Sequence, residues 1–106
     1  MTAETAAMLP ALMIVLAAGV WTVQVVGAQL ECVDAARAAA RAAARGEPPD
    51  RVRQIARSAV RPGASVELHV TLETTRAEVS LRMRPTWGLP LPPVIVSASS
   101  TTITEP

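Results

Sequence analysis

Residues 5–30 carry no formal charge, and this run constrains what the chain can fold into more than any other feature. Ala, Val, Leu, Ile and Met dominate it; its polar side chains are Thr22 and Gln24, with Thr5 and Gln29 towards the ends. About 18 consecutive apolar residues are enough to read a membrane-crossing helix, and about 20 span the hydrocarbon core. Backbone in lipid must satisfy its own hydrogen bonds, so the segment is expected to be a helix. A helix buried among other helices, as in the core of a filament, meets the same requirement. The run is too long for the apolar part of a secretory signal, and no small-residue cleavage pattern clearly ends it. It is therefore expected to remain in the mature chain.

Helix-forming sequence continues beyond the run. Residues 31–45 are mostly Ala and Arg, both strong helix formers. Arg37, Arg41 and Arg45 recur every four residues as one charged stripe, with Asp34 placed to pair with Arg37. Gly46 is the expected stop, and Pro48 and Pro49 lie beyond it. A helix over residues 5–45 would be roughly 60 Å long at 1.5 Å per residue. A second helix is expected from the prolines or Asp50 up to Pro62-Gly63, with Val52, Ile55, Ala56, Ala59 and Val60 on its apolar face.

From Ser65 the period becomes alternating. Val66, Leu68, Val70 and Leu72 share one face, and Ala77, Val79, Leu81 and Met83 share one in the next run. A hairpin with Thr74-Thr75 at its tip sets Val66 opposite Met83 and Leu68 opposite Leu81. It also sets Glu67 against Arg82 and Glu73 against Arg76, which are favourable cross-strand pairs. Residues 85–93 hold four prolines with Trp87 and Gly88 and read as an irregular loop. A third strand follows, from Val94 to Ile103. The expected class is α+β: a long N-terminal transmembrane or pilin-like helix, a short second helix and a three-stranded antiparallel sheet. Residues 1–30 form the hydrophobic segment and 31–106 the small head. The part after the long helix is short and has no Phe or Tyr, so it is expected to lean on that helix or on neighbouring subunits.

Enzymatic chemistry finds little support. His69 is the sole histidine and falls on the outward face of a strand; no nucleophile elbow, phosphate loop or zinc spacing occurs. No catalytic residue, cofactor, metal or small-molecule substrate is expected. Seven Arg fall between positions 37 and 61, but no aromatics interleave and Glu47 and Asp50 interrupt them. A solvated helix face is the better reading, and nucleic acid is not an expected partner. Cys32 is the sole cysteine, either a small packed thiol or a bridge between chains in an oxidising compartment. Glu4 opens the apolar run, where an acid suits the helix dipole, or needs a cation if it enters apolar surroundings. Pro10 removes a backbone donor inside the helix, and Gly19 and Gly27 give small surfaces for helix packing.

The opening Ala3-Glu4-Thr5-Ala6-Ala7-Met8-Leu9-Pro10-Ala11-Leu12, the apolar run, and Ala35-Ala36-Arg37-Ala38-Ala39-Ala40-Arg41 together resemble the TadE-like minor pilins of tight-adherence pili, in their actinobacterial form. The resemblance covers residues 3–47 closely and the remainder in its helix-then-sheet plan. It implies a type IV pilin-like subunit held in the cytoplasmic membrane, trimmed by a prepilin peptidase, and moved into a filament with other pilins by the pilus assembly machinery. Glu4 matches the pilin glutamate that pairs with a neighbouring subunit's N-terminal amine, although it stands fourth from Met1 where the family pattern has it fifth. The head is then extracytoplasmic, whereas Arg37, Arg41 and Arg45 after the run would by charge alone place it in the cytoplasm. Two other readings stay open: a single-pass membrane adaptor that never polymerises, and an anchor whose Arg-rich helices bind anionic lipid or nucleic acid.

Overall fold

One uninterrupted helix, α1 (Thr2–Ala44), carries the molecule, and its second half is the surface on which everything else is built. The computed structural model describes residues 2–85 and 92–105. The fold is α+β: α1 is followed by α2 (Pro49–Ser58) and by β1 (Ser65–Val70), β2 (Thr74–Met83) and β3 (Val94–Ile103), which form an antiparallel meander in the order β1-β2-β3. The molecule is 73 Å long and about 20 Å across. Forty-three helical residues account for roughly 65 Å of that length at 1.5 Å per residue.

The end of α1 follows from Gly46. Its φ of +85° is the left-handed conformation that glycine adopts without a Cβ penalty. The Gly46 amide donates to the Ala43 carbonyl at 3.0 Å and the Glu47 amide to the Ala42 carbonyl at 3.3 Å, the paired bonds of a Schellman cap. The chain then reverses, and Pro49 in the first turn begins α2 at the expected place. Val52 and Ala56 of α2 are fully buried against α1, while Ala59, expected on the same face, is exposed beyond the helix end.

The core is a seam of very small side chains. Ala28, Cys32, Ala35, Ala36 and Ala39 of α1 are wholly inaccessible and meet Ala77, Val79, Leu81 and Val96 of the sheet. Alanine brings helix and sheet close together, at the cost of burying little area per residue at ~25 cal/mol per Å². Arg37, Arg41 and Arg45 stay on the exposed side, as their spacing required. Asp34 and Arg37 do not form the expected ion pair; both are exposed, where such pairs gain little over solvation.

The hairpin differs from expectation in register. Val66 pairs with Val79 and Leu68 with Ala77, a shift of four residues along β2, and the turn lies at Leu72-Glu73. An even shift keeps each side chain on its face, so Val66 and Leu68 remain inward, while Val70 near the hairpin tip is exposed. The expected cross-strand charge pairs are lost: Glu67 now faces Glu78, and His69 faces Arg76. Threonine and the third strand decide this outcome. Thr71 donates its amide to the Thr74 carbonyl at 2.8 Å, and the Thr74 amide donates to Thr71 Oγ1 at 2.9 Å. That leaves the Thr71 carbonyl free for Thr104 Oγ1 at 3.0 Å, while the Thr104 amide donates to the Glu73 carbonyl at 3.1 Å. With the Thr104 hydroxyl proton so engaged, buried Thr75 donates to Thr104 Oγ1 at 2.7 Å. Leu72 at the tip is left 98% exposed.

Because the seam has no spare volume, Ala36→Leu is expected to destabilise the head by ~1–3 kcal/mol. The control Ala11→Leu, in the uncovered part of α1, should stay within ~0.5 kcal/mol. Chemical denaturation of the detergent-solubilised chain, followed by tryptophan fluorescence, measures both.

Candidate functional site

Two parts of α1 have opposite surroundings. From residue 2 to 20 almost every side chain is exposed, including Met8, Leu12, Met13, Ile14, Val15 and Leu16. From Trp21 onward the head begins to cover it: Trp21 and Val25 pack against the core, and Ala28 is fully buried. The last third of the apolar run therefore belongs to the head as much as to the bare segment, and residue 30 lies inside this shared region. Nineteen bare residues span roughly 28 Å, close to the ~30 Å hydrocarbon thickness of a bilayer. The helix is long and apolar enough to cross a membrane, and none of its most apolar window is buried within the molecule.

Just past the bare segment, one polar side chain is satisfied within the helix itself. Thr22 Oγ1 donates to the Ala18 carbonyl at 2.8 Å, so the hydroxyl needs no partner outside the helix. Pro10 lies within the helix, which continues past it without interruption. Glu4 is exposed in the first turn, at the far end of the bare segment from the head. Gly19 has open space where a β-carbon would be, in an apolar groove shared with Val15, Leu16, Val20 and Val23. At Gly27 the close approach comes from the same chain: a β-carbon there would sit 3.4 Å from Arg61 Nη2.

That arginine belongs to a junction the sequence did not announce. Arg61 Nε donates to Glu31 Oε2 at 3.0 Å, and the Arg61 amide donates to Glu31 Oε1 at 3.1 Å. Glu31, the first charge after the apolar run, thus clasps the segment between α2 and β1 through both oxygens. Charge-assisted bonds of this kind are worth ~1.5–3 kcal/mol each when shielded, and less here because both side chains are about a third exposed. Gln29 Nε2 donates to the Ser97 carbonyl at 2.8 Å and ties β3 to the same turn of the helix. The partners lie thirty and sixty-eight positions apart, so no local pattern pointed to them.

Cys32 follows directly and is completely buried, which is the packed-thiol arrangement; a bond to another chain would require the seam to open. Burial, reinforced by the neighbouring Glu31 carboxylate and partly offset by Arg61, pushes the thiol above its ordinary pKa. His69 is exposed on the open face of the sheet with Glu67 Oε2 at 3.9 Å. Among the described residues no three His, Cys, Asp or Glu side chains are grouped to hold a metal. Trp87 and most of the loop 85–93 lie outside the described residues.

A raised thiol pKa means that the unfolded chain ionises first. The contribution of Cys32 to stability is complete below the ordinary thiol range and declines as pH rises through it. Maleimide labelling of the native chain at neutral pH should be at least tenfold slower than in denaturant. Glu31→Ala, which releases Arg61, should accelerate the native reaction; an unchanged rate would mean that the clasp does not guard the seam.

Compared with protein-family models, curated proteins and solved structures, the chain matches none of them.

Proposed function

We propose that this chain is a non-enzymatic, pilin-like subunit of the TadE type, anchored in the cytoplasmic membrane and drawn from there into a filament or its initiating complex. The observation that carries the reading is the division of α1 into a bare apolar half of bilayer length and a half sheathed by its own head. A rod of that kind has two suitable environments, lipid and a bundle of like rods. The resemblance of residues 3–47 to TadE-like minor pilins favours passage from the first to the second.

Glu4 gives the transfer its polarity. A carboxylate entering a bundle of apolar helices is costly unless a cation meets it, and the N-terminal amine of an adjacent pilin is the cation that the resemblance implies. The partners under this reading are other pilins, the assembly machinery, membrane lipid and, before maturation, a prepilin peptidase. The small head, with the exposed polar face of its sheet, serves contacts between subunits.

The charge distribution favours a second reading. Every arginine lies beyond the bare segment, which by the positive-inside tendency directs the head to the cytoplasm. The chain is then an anchored adaptor that does not polymerise. Cysteines introduced in the loop 85–93 separate the two: labelling by an impermeant reagent on intact cells is expected for the pilin, and protection for the adaptor. For the pilin, Glu4→Gln should lower incorporation into sheared surface filaments by ~tenfold, the scale of one unmet ion pair, with membrane insertion unchanged. Unaltered incorporation would remove Glu4 from the assembly step.

A further inference from the structure

The geometry points to a binding site for the phosphodiester headgroup of an anionic lipid, formed by Arg61, Arg82 and Arg84 where the head meets the bare helix. It rests on the membrane-anchored part of the function proposed above and is independent of filament assembly.

Three observations converge on it. First, the strands fix which end of the head faces the bare segment. Gln29 holds Ser97 near the start of β3, while the Glu105 amide donates to the Ala44 carbonyl at 3.2 Å at the other end. β3 therefore runs alongside α1 in the same direction, and the Met83–Val94 pair lies at the end where the helix emerges. Second, this end has an open cavity of about 350 Å³, lined by Trp21, Gln24, Arg61, Pro62, Arg82 and Arg84 among others. It exists because β1 starts opposite Ser80, so the last three residues of β2 have no strand partner on that side. Third, two of its three arginines are uncompensated. Arg61 is engaged by Glu31, but among the described residues neither Arg82 nor Arg84 has a carboxylate within ion-pair distance. Both are exposed, and residues 86–91 contain no acid.

The level of this cavity on the rod identifies its ligand. Roughly 28 Å of bare helix fills the hydrocarbon core, so Trp21 and the cavity fall at headgroup depth, where an indole is at home and phosphates abound. Arginine is the side chain suited to forked hydrogen bonds with a phosphate. A free phosphate would meet the same donors, but the position at the rim of the membrane-length segment favours one carried by lipid.

The test uses the full-length chain with Trp87→Phe, leaving Trp21 as the sole indole, in phosphatidylcholine vesicles. Quenching of Trp21 by lipids brominated on their acyl chains reports which headgroup sits beside it. Brominated phosphatidylglycerol is expected to compete about five-fold better per engaged arginine than brominated phosphatidylcholine, with the advantage shrinking in high salt. Arg82→Gln with Arg84→Gln should abolish the preference, and Lys at both positions should retain most of it. Arg37→Gln with Arg41→Gln, an equal charge change farther up the rod, should leave it intact. Equal quenching by both lipids overturns the site, as does equal loss in the two glutamine pairs. Millimolar inorganic phosphate should not relieve the preference; if it does, the ligand is free phosphate and the lipid assignment falls. Absence of quenching by either lipid overturns the membrane anchoring itself.

Discussion

The contact between alanines of α1 and the inner face of the sheet governs this molecule. With β-carbons as the only side-chain atoms on much of the helix surface, sheet and helix approach closely, and small aliphatic residues of β2 and β3 fill the gap. Such a seam is tight rather than large. The head has neither the aromatic bulk nor the length for an independent core, so its stability depends on staying docked along the rod. The bare and sheathed halves of α1 are thus linked: the same helix that needs lipid or protein around its first half is the wall of the core in its second.

Polar interactions then fix what the apolar seam leaves loose. Alanine surfaces slide more readily than interlocked large side chains, and directional bonds remove that freedom. Glu31 holds the α2–β1 connection, Gln29 holds the start of β3, and the Ala44 carbonyl holds the residue after β3. Two of these ties share one turn of the helix at one end of the head, and the third closes the other end. The threonine cluster of Thr71, Thr74, Thr75 and Thr104 does the corresponding work between strands, and it overrides the charge pattern that favoured another register.

Much of this architecture was legible in the residues. The unbroken apolar-then-alanine stretch, Gly46 and the prolines fixed both helices to within a few residues; alternation located the first two strands and their faces, and strand-favouring composition located the third. Register was not legible, because pairing two strands in isolation ignores the third, and Thr104 acts from outside the hairpin. Nor was the junction at Glu31 and Arg61, since ion pairs between distant positions leave no periodic trace. Of the candidate residues, Glu4 and Gly19 lie open on the bare segment, Cys32 is enclosed, and Gly27 is occupied by Arg61 of its own chain.

The absence of any break between the bare tip and the docked head makes α1 a torsion shaft. Each residue of an α-helix advances the axis by 1.5 Å and turns it by about 100°. Adding or removing a single residue between Pro10 and Trp21 would therefore leave the rod nearly as long yet swing the sheet to a different compass bearing around it. Whatever grips the tip thereby sets the direction in which the head faces, with no hinge to absorb an error.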